Sequence, residues 1–301
     1  MERSVQWVII IAAAALTVGG FVALALGTNS GDQVATDDDS TAAPSSTTSI
    51  VPSVTTAPPS TTTTIRPAEG ADGFPDASTT GPTSAQLDER EPEKVEEEGA
   101  IIEGVEINGQ LTITADNVTV RNARINTDGA YGILVDEVDG ITIEDVEIIG
   151  HGTDCSAGIA PFGTWTARRV DVSNCEDGVK MAGGQQLHDS YVHDLAAGES
   201  THNDAVQITH GEGSVISGNR LIAPSQNAAI MLSSNFGPVA NWMIADNWLE
   251  GGTYTVYVRE QGHGDPRAIT LRANQWQPDS WQYGPYDIDG DGVTLEDNQG
   301  F

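Results

Sequence analysis

Eight segments decide the fold: VTVRNARI (118–125), ITIEDVEI (141–148), WTARRVDV (165–172), QQLHDSYV (185–192), SVISGNRL (214–221), WMIADNWL (242–249), ITLRANQW (269–276) and VTLEDNQG (293–300). Their starts lie 20 to 29 residues apart. A second set falls between them: GILV (132–135), GIAP (158–161), GVKM (178–181), AVQI (205–208), AIML (229–232) and TVYV (255–258). Both sets are short alternations of apolar and polar residues bounded by Gly, Asn and Asp, which is the pattern of strands and turns. A unit of this length, repeated, is a solenoid. The leucine signature of helical repeats is absent and no segment keeps a helical period. The reading is therefore all-β, a single-stranded right-handed parallel β-helix.

Stacking gives each residue a neighbour about 4.8 Å away on the next coil. Asn219, Asn247, Asn274 and Asn298 share one register position and are expected to form a structural ladder of amides. Cys155 lies four residues before Ile159, and Cys175 four before Val179. The two are thus equivalent positions one coil apart, within reach of a disulfide outside the cytoplasm.

Composition excludes several classes. The chain has 301 residues, with 13 basic against 44 acidic side chains and a net charge of −31. Such a chain offers no basic face to nucleic acid or to anionic lipid. Two cysteines exclude a cysteine-rich scaffold and a zinc ribbon. Three regions follow. Residues 1–27 carry Glu2-Arg3 and an apolar run from Trp7 to Leu26, long enough for a membrane-spanning helix. They read as a signal anchor, or as a signal peptide cut near Ala23 and Ala25. Residues 28–72 are a Ser/Thr/Pro-rich stretch with too little apolar surface to fold, a disordered stalk. Residues 73–301 are the β-helix domain, on the cell membrane facing outward or secreted.

The segments GFPDASTTGPTS (73–84), DSYVHDL (189–195), THNDAVQI (201–208) and NWLEGGTYTVYV (247–258) resemble secreted actinobacterial right-handed β-helix proteins of the pectate-lyase-like superfamily. The resemblance covers about residues 73–301. It implies the fold and a business with extracellular polysaccharide. It does not imply one reaction, because the superfamily includes lyases, hydrolases, epimerases and non-catalytic surface proteins.

The candidate site follows from the strand faces. With Val179, Val206 and Val256 inward, Lys180, Gln207 and Tyr257 turn outward, and so do Asp177, Asp204 and Tyr254. Asp177 stacks on Asp204 and Lys180 on Gln207. His202 and Asn203 lead into the second of these strands, His193 closes the preceding one, and Arg259 lies farther along the same face. Lys180 is the only lysine after Lys94. The favoured expectation is a lyase on a uronate-containing glycan. Lys180 would be its base, Asp177 and Asp204 would hold Ca²⁺ against the substrate carboxylate, and His202 would assist. Asn203, Gln207, His193, Arg259 and Tyr257 would bind substrate. A glycoside hydrolase using Asp177 and Asp204 as an acid/base pair is one alternative; the Asp-Asp and Arg-x-Lys signatures of polygalacturonases on this fold are absent. The other alternative is a non-catalytic glycan-binding or structural envelope protein, in which Asn203-Asp204 fixes a turn and Lys180 partners Asp177. Whether the chain is an enzyme stays open at this level. A second, weaker calcium expectation is the run DIDGDG (287–292), whose Asp287, Asp289 and Asp291 match half of an EF-type loop. Trp242, Trp248, Trp276 and Trp281 are expected to cap the end of the solenoid or to stack on sugar rings.

Overall fold

A computed structural model describes residues 72–223 and 227–301. The expected N-terminal helix (1–27) and all but the last residue of the expected stalk (28–72) lie outside the described residues. Among the described residues there is no helix, and so none long and apolar enough to cross a membrane.

The chain winds into a parallel β-solenoid, all of whose strand pairs are parallel. Each coil contributes first a strand to a nine-stranded sheet, then one or two strands to a 16-stranded sheet. The nine strands include Ala157–Ile159, Asp177–Met181, Asp204–Ile208, Ala228–Ser233 and Tyr254–Arg259. Thr119–Thr127 and Ile141–Gly150 cross the larger sheet unbroken. After them the sheet divides into two limbs. Trp165–Arg168, Gln186–His188, Gly211–Ser217 and their successors form the first; Asp171–Ser173, Tyr191–Val192, Arg220–Ala223 and theirs form the second.

Three apolar columns fill the interior, and register explains them. Ile159, Val179, Val206, Ile230 and Val256 stack on the nine-stranded sheet. Ile143, Ala167, Leu187, Ile216, Ile244 and Leu271 stack on the first limb. Ile148, Val172, Val192, Leu221, Leu249 and Trp276 stack on the second. All are essentially fully buried. The aromatic expectation divides. Trp242 and Trp276, with Trp165, are core residues whose indole N–H groups donate to the Gly211, Pro285 and Ala160 carbonyls. Trp281 is partly buried against that core. Trp248 faces outward against Phe74.

Between the limbs the chain turns through one left-handed residue per coil: Gly104, Asn122, Asp145, Arg169, Asp189, Gly218, Asp246, Ala273 and Asp297, with φ from 47° to 70°. Gly, Asn and Asp accept this conformation most readily. The following position carries the amide ladder. The Asn219, Asn247 and Asn274 backbone N–H groups donate to the side-chain oxygens of Asn247, Asn274 and Asn298, at 2.9, 3.1 and 2.9 Å. Their Nδ2 groups donate both to those same oxygens and to the Leu187, Ile216 and Ile244 carbonyls. The sequence expectation of a structural ladder holds. So does the disulfide: Cys155 and Cys175 are bonded, with Cα atoms 4.7 Å apart.

Two stability predictions follow from this corner. Asn247→Ala removes an acceptor and a donor from a buried chain of amides and is expected to cost about 2–4 kcal/mol in denaturant unfolding, more than Asn298→Ala at the ladder's end. Ala273→Gly is expected to raise stability by up to about 1 kcal/mol, because only Cβ strain is removed. A loss on Ala273→Gly would show that the left-handed corner is not the strained point.

Candidate functional site

The outer face of the nine-stranded sheet presents one column of changing chemistry. Lys180, Gln207, Met231, Tyr257 and Asp287 lie directly above one another. Asp177 and Asp204 are three residues before Lys180 and Gln207. Strict alternation would place them inside with Val179 and Val206. A break in each strand decides otherwise. Gly178 and Ala205 are passed over in the pairing, while the residues on either side of them are paired. Gly178 faces the core, where a Cβ would meet Val192 at 2.2 Å. Two successive residues therefore point inward, and Asp177 returns to the side of Lys180. Only glycine fits that close approach.

The two carboxyls are nonetheless sealed from solvent, at 2% exposure for Asp177 and 0% for Asp204. Asp177 Oδ1 accepts the Asp204 backbone N–H at 2.8 Å, and Oδ2 faces Lys180 Nζ at 3.2 Å. Lys180 Nζ also donates to Ser156 Oγ at 2.7 Å. Asp204 accepts from Asn227 Nδ2 at 2.7 Å and Gln207 Nε2 at 3.3 Å. Burial pushes Asp177 up to about 6 against the pull of the Lys180 ammonium. Burial, then the charge of Asp177, pushes Asp204 well above the usual carboxylate range.

The other expected residues are scattered. Asn203 is fully buried; its Nδ2 donates to the Glu176 and Ala196 carbonyls and its Oδ1 accepts from Thr201. Contrary to the expectation of substrate contact, it holds its own loop in place, because burial leaves its amide only backbone and hydroxyl partners. His202 is exposed on that loop. His193 closes the strand Tyr191–Val192, as expected, but that strand belongs to the second limb and not to the nine-stranded face, and His193 stacks there on Tyr191 and bridges Asp171 and Asp194. Arg259 lies on the expected face but is committed to Asp287 and Asp289. Tyr257 lies three coils from Lys180 in the column, next to Asp287, and shares a hydrogen bond with Thr253.

Neither donor set fits calcium. At Asp177 and Asp204 the oxygens are taken by an ammonium, amides and a backbone N–H. In the DIDGDG run a guanidinium bridges Asp287 and Asp289. Asn298, the twelfth position of an EF-type loop, spends its side chain on Asn274 and Leu271. Among the described residues no group of three or more His, Cys, Asp or Glu side chains converges as a metal site would. Sequence reasoning missed Ser156 and Asn227. The second had a signal: Asn203-Asp204-Ala205 and Asn227-Ala228-Ala229 occupy equivalent positions.

Compared with known proteins, the chain matches no family model and no curated sequence.

The carboxyl pair has a pH signature. Both groups are raised, so their contribution to stability is complete below pH 3.8, the ordinary Asp value, and is lost as pH climbs through about 6 for Asp177. Urea unfolding at about pH 7.5 should show a loss on the order of 2 kcal/mol relative to about pH 4.5. Asp204→Asn should shrink that loss; an unchanged slope would mean the pair is not the source.

Proposed function

We propose that the chain is a right-handed solenoid of pectate-lyase-like type, displayed outside the cytoplasm by its N-terminal segment, whose nine-stranded face binds an extended polysaccharide without cleaving it. One observation carries this reading. The acids that hydrolysis or calcium-assisted elimination would use are buried and saturated by Lys180, Gln207, Asn227 and a backbone N–H. What reaches solvent beside them are the Gln207 amide, the Lys180 ammonium and aromatic rings, with the Arg259–Asp287 ion pair farther along the face.

The rings stand at two places along the axis. Tyr131, two coils before Asp177, packs edge-on against the exposed Phe162. Tyr254 packs against Tyr257 and the exposed Tyr283 at the other end. Sugar rings stack on such surfaces through their C–H faces, and hydroxyls pair with the side chains between. A net charge of −31 repels a polyanion, so a neutral or lightly charged glycan suits the face better than a uronate polymer. The lyase reading keeps one point in its favour: Lys180, the single lysine of the solenoid beyond Lys94, stands mid-face with its side chain 19% exposed.

Affinity electrophoresis of the purified chain through a panel of polysaccharides tests both readings. Retardation by a neutral glycan is expected. Tyr131→Ala and Tyr257→Ala should each weaken it about threefold to tenfold, the worth of one stacking contact. Accumulation of unsaturated uronate from any member of the panel, abolished in Lys180→Ala, would replace binding by elimination.

A further inference from the structure

Residues 72–84 form a strap laid lengthwise across the second limb. Asp72 pairs with Arg220, and Phe74 packs on Trp248 with ring centroids 5.5 Å apart. The Thr80 hydroxyl proton is shared between Asp171 Oδ2 at 3.0 Å and the Asp76 carbonyl at 2.8 Å, and Gly81 N–H donates to the Arg169 carbonyl at 2.9 Å. The Thr83 and Ser84 N–H groups both donate to Asn122 Oδ1, at 2.9 and 3.0 Å. Trp248, Arg220, Tyr191, Asp171 and Glu147 stand on successive coils, so the strap ties together turns that otherwise touch only their neighbours.

The middle fastening is a carboxylate with two partners. Asp171 is 5% exposed; one oxygen takes the strap's Thr80 hydroxyl and the other faces His193 Nε2 at 2.9 Å. His193 Nδ1 faces Asp194 Oδ2 at 2.8 Å, and its ring lies on Tyr191 at 4.0 Å, 12° from parallel. Both ring nitrogens thus meet carboxylate oxygens. A neutral imidazole has a single N–H and cannot satisfy both; an imidazolium can. The remaining charged groups nearby are committed elsewhere. Arg220, opposite Tyr191 on the next coil, pairs with Asp72; Glu147, opposite Asp171 on the preceding coil, pairs with Arg124. On the strap, Asp76 turns its carboxylate to Ser78.

We propose that charged His193 is the rivet of this strap, and that the strap detaches from the solenoid when the imidazolium loses its second proton. The charge is what compensates the buried Asp171 carboxylate. Once it is gone, that carboxylate is left with neutral donors only and regains solvation by opening toward water, taking Thr80 with it. The two carboxylates outweigh burial and hold the ring above the ordinary histidine value, so the fastening is complete in acid and lost as pH rises past that value. Detached, thirteen residues add up to about 40 Å of reach to whatever precedes the solenoid.

Hydrogen exchange with mass spectrometry on the full chain, corrected for the intrinsic pH dependence of exchange, tests this. Protection of peptides within 72–84 should fall at least tenfold between about pH 5 and about pH 9, while the core strand 141–150 keeps its own. His193→Gln, which can still donate to Asp171 but carries no charge, should lower strap protection at acid pH and flatten the profile. Asp194→Asn, at an exposed site, should move the midpoint to lower pH without touching the fold. Strap protection that is flat with pH in the wild type, or a wild-type profile in His193→Gln with an intact core, overturns the proposal.

Discussion

A parallel stack obliges each residue to share its environment with the same position one coil above and below. No coil of this protein could bury its apolar side alone; each one's inner column is completed by its neighbours. The same constraint governs polar positions. A buried Asn is tolerable at the corner after the left-handed residue because the next coil supplies another Asn whose oxygen accepts both its backbone and its side-chain N–H. One Asn there would be an unsatisfied amide; four in register are a hydrogen-bonded spine.

Stacking also explains the chemistry of the nine-stranded face. Placing Asp204 directly after Asp177 brings two carboxyls to adjacent buried positions, where burial and mutual repulsion both favour the neutral forms. The surroundings answer with an ammonium and two amides, and the pair becomes part of the wall. Acids held in this way resemble the internal network of a rigid scaffold more than groups poised to meet a substrate. The exposed rings and amides beside them are the groups on which the proposed glycan binding rests.

The strap adds what a solenoid lacks. Nearest-neighbour stacking has no long-range tie along the axis, and residues 72–84 provide one by touching coils from Asn122 to Trp248. Its central contact runs through the Asp171–His193 pair, so a single proton bears on that tie.

The repeat, the strand class, the inward stack of Val179, Val206 and Val256, the Asn ladder and the Cys155–Cys175 bond were legible in the sequence, because each depends on spacing alone and stacking turns equal spacing into contact. Three things were not. The reason for the outward turn of Asp177, a residue the sequence reading did place outward, is the pairing break at Gly178, where the core approaches too closely for a Cβ; strict alternation from Val179 points the other way. The burial of Asn203 and the commitment of Arg259 depend on which loop folds over which strand, and loop paths are set by partners distant in sequence. The union of Thr80, Asp171 and His193 joins residues 91 and 22 positions apart on different coils. Periodicity fixed what repeats along the axis; only the folded chain decided what closes across it.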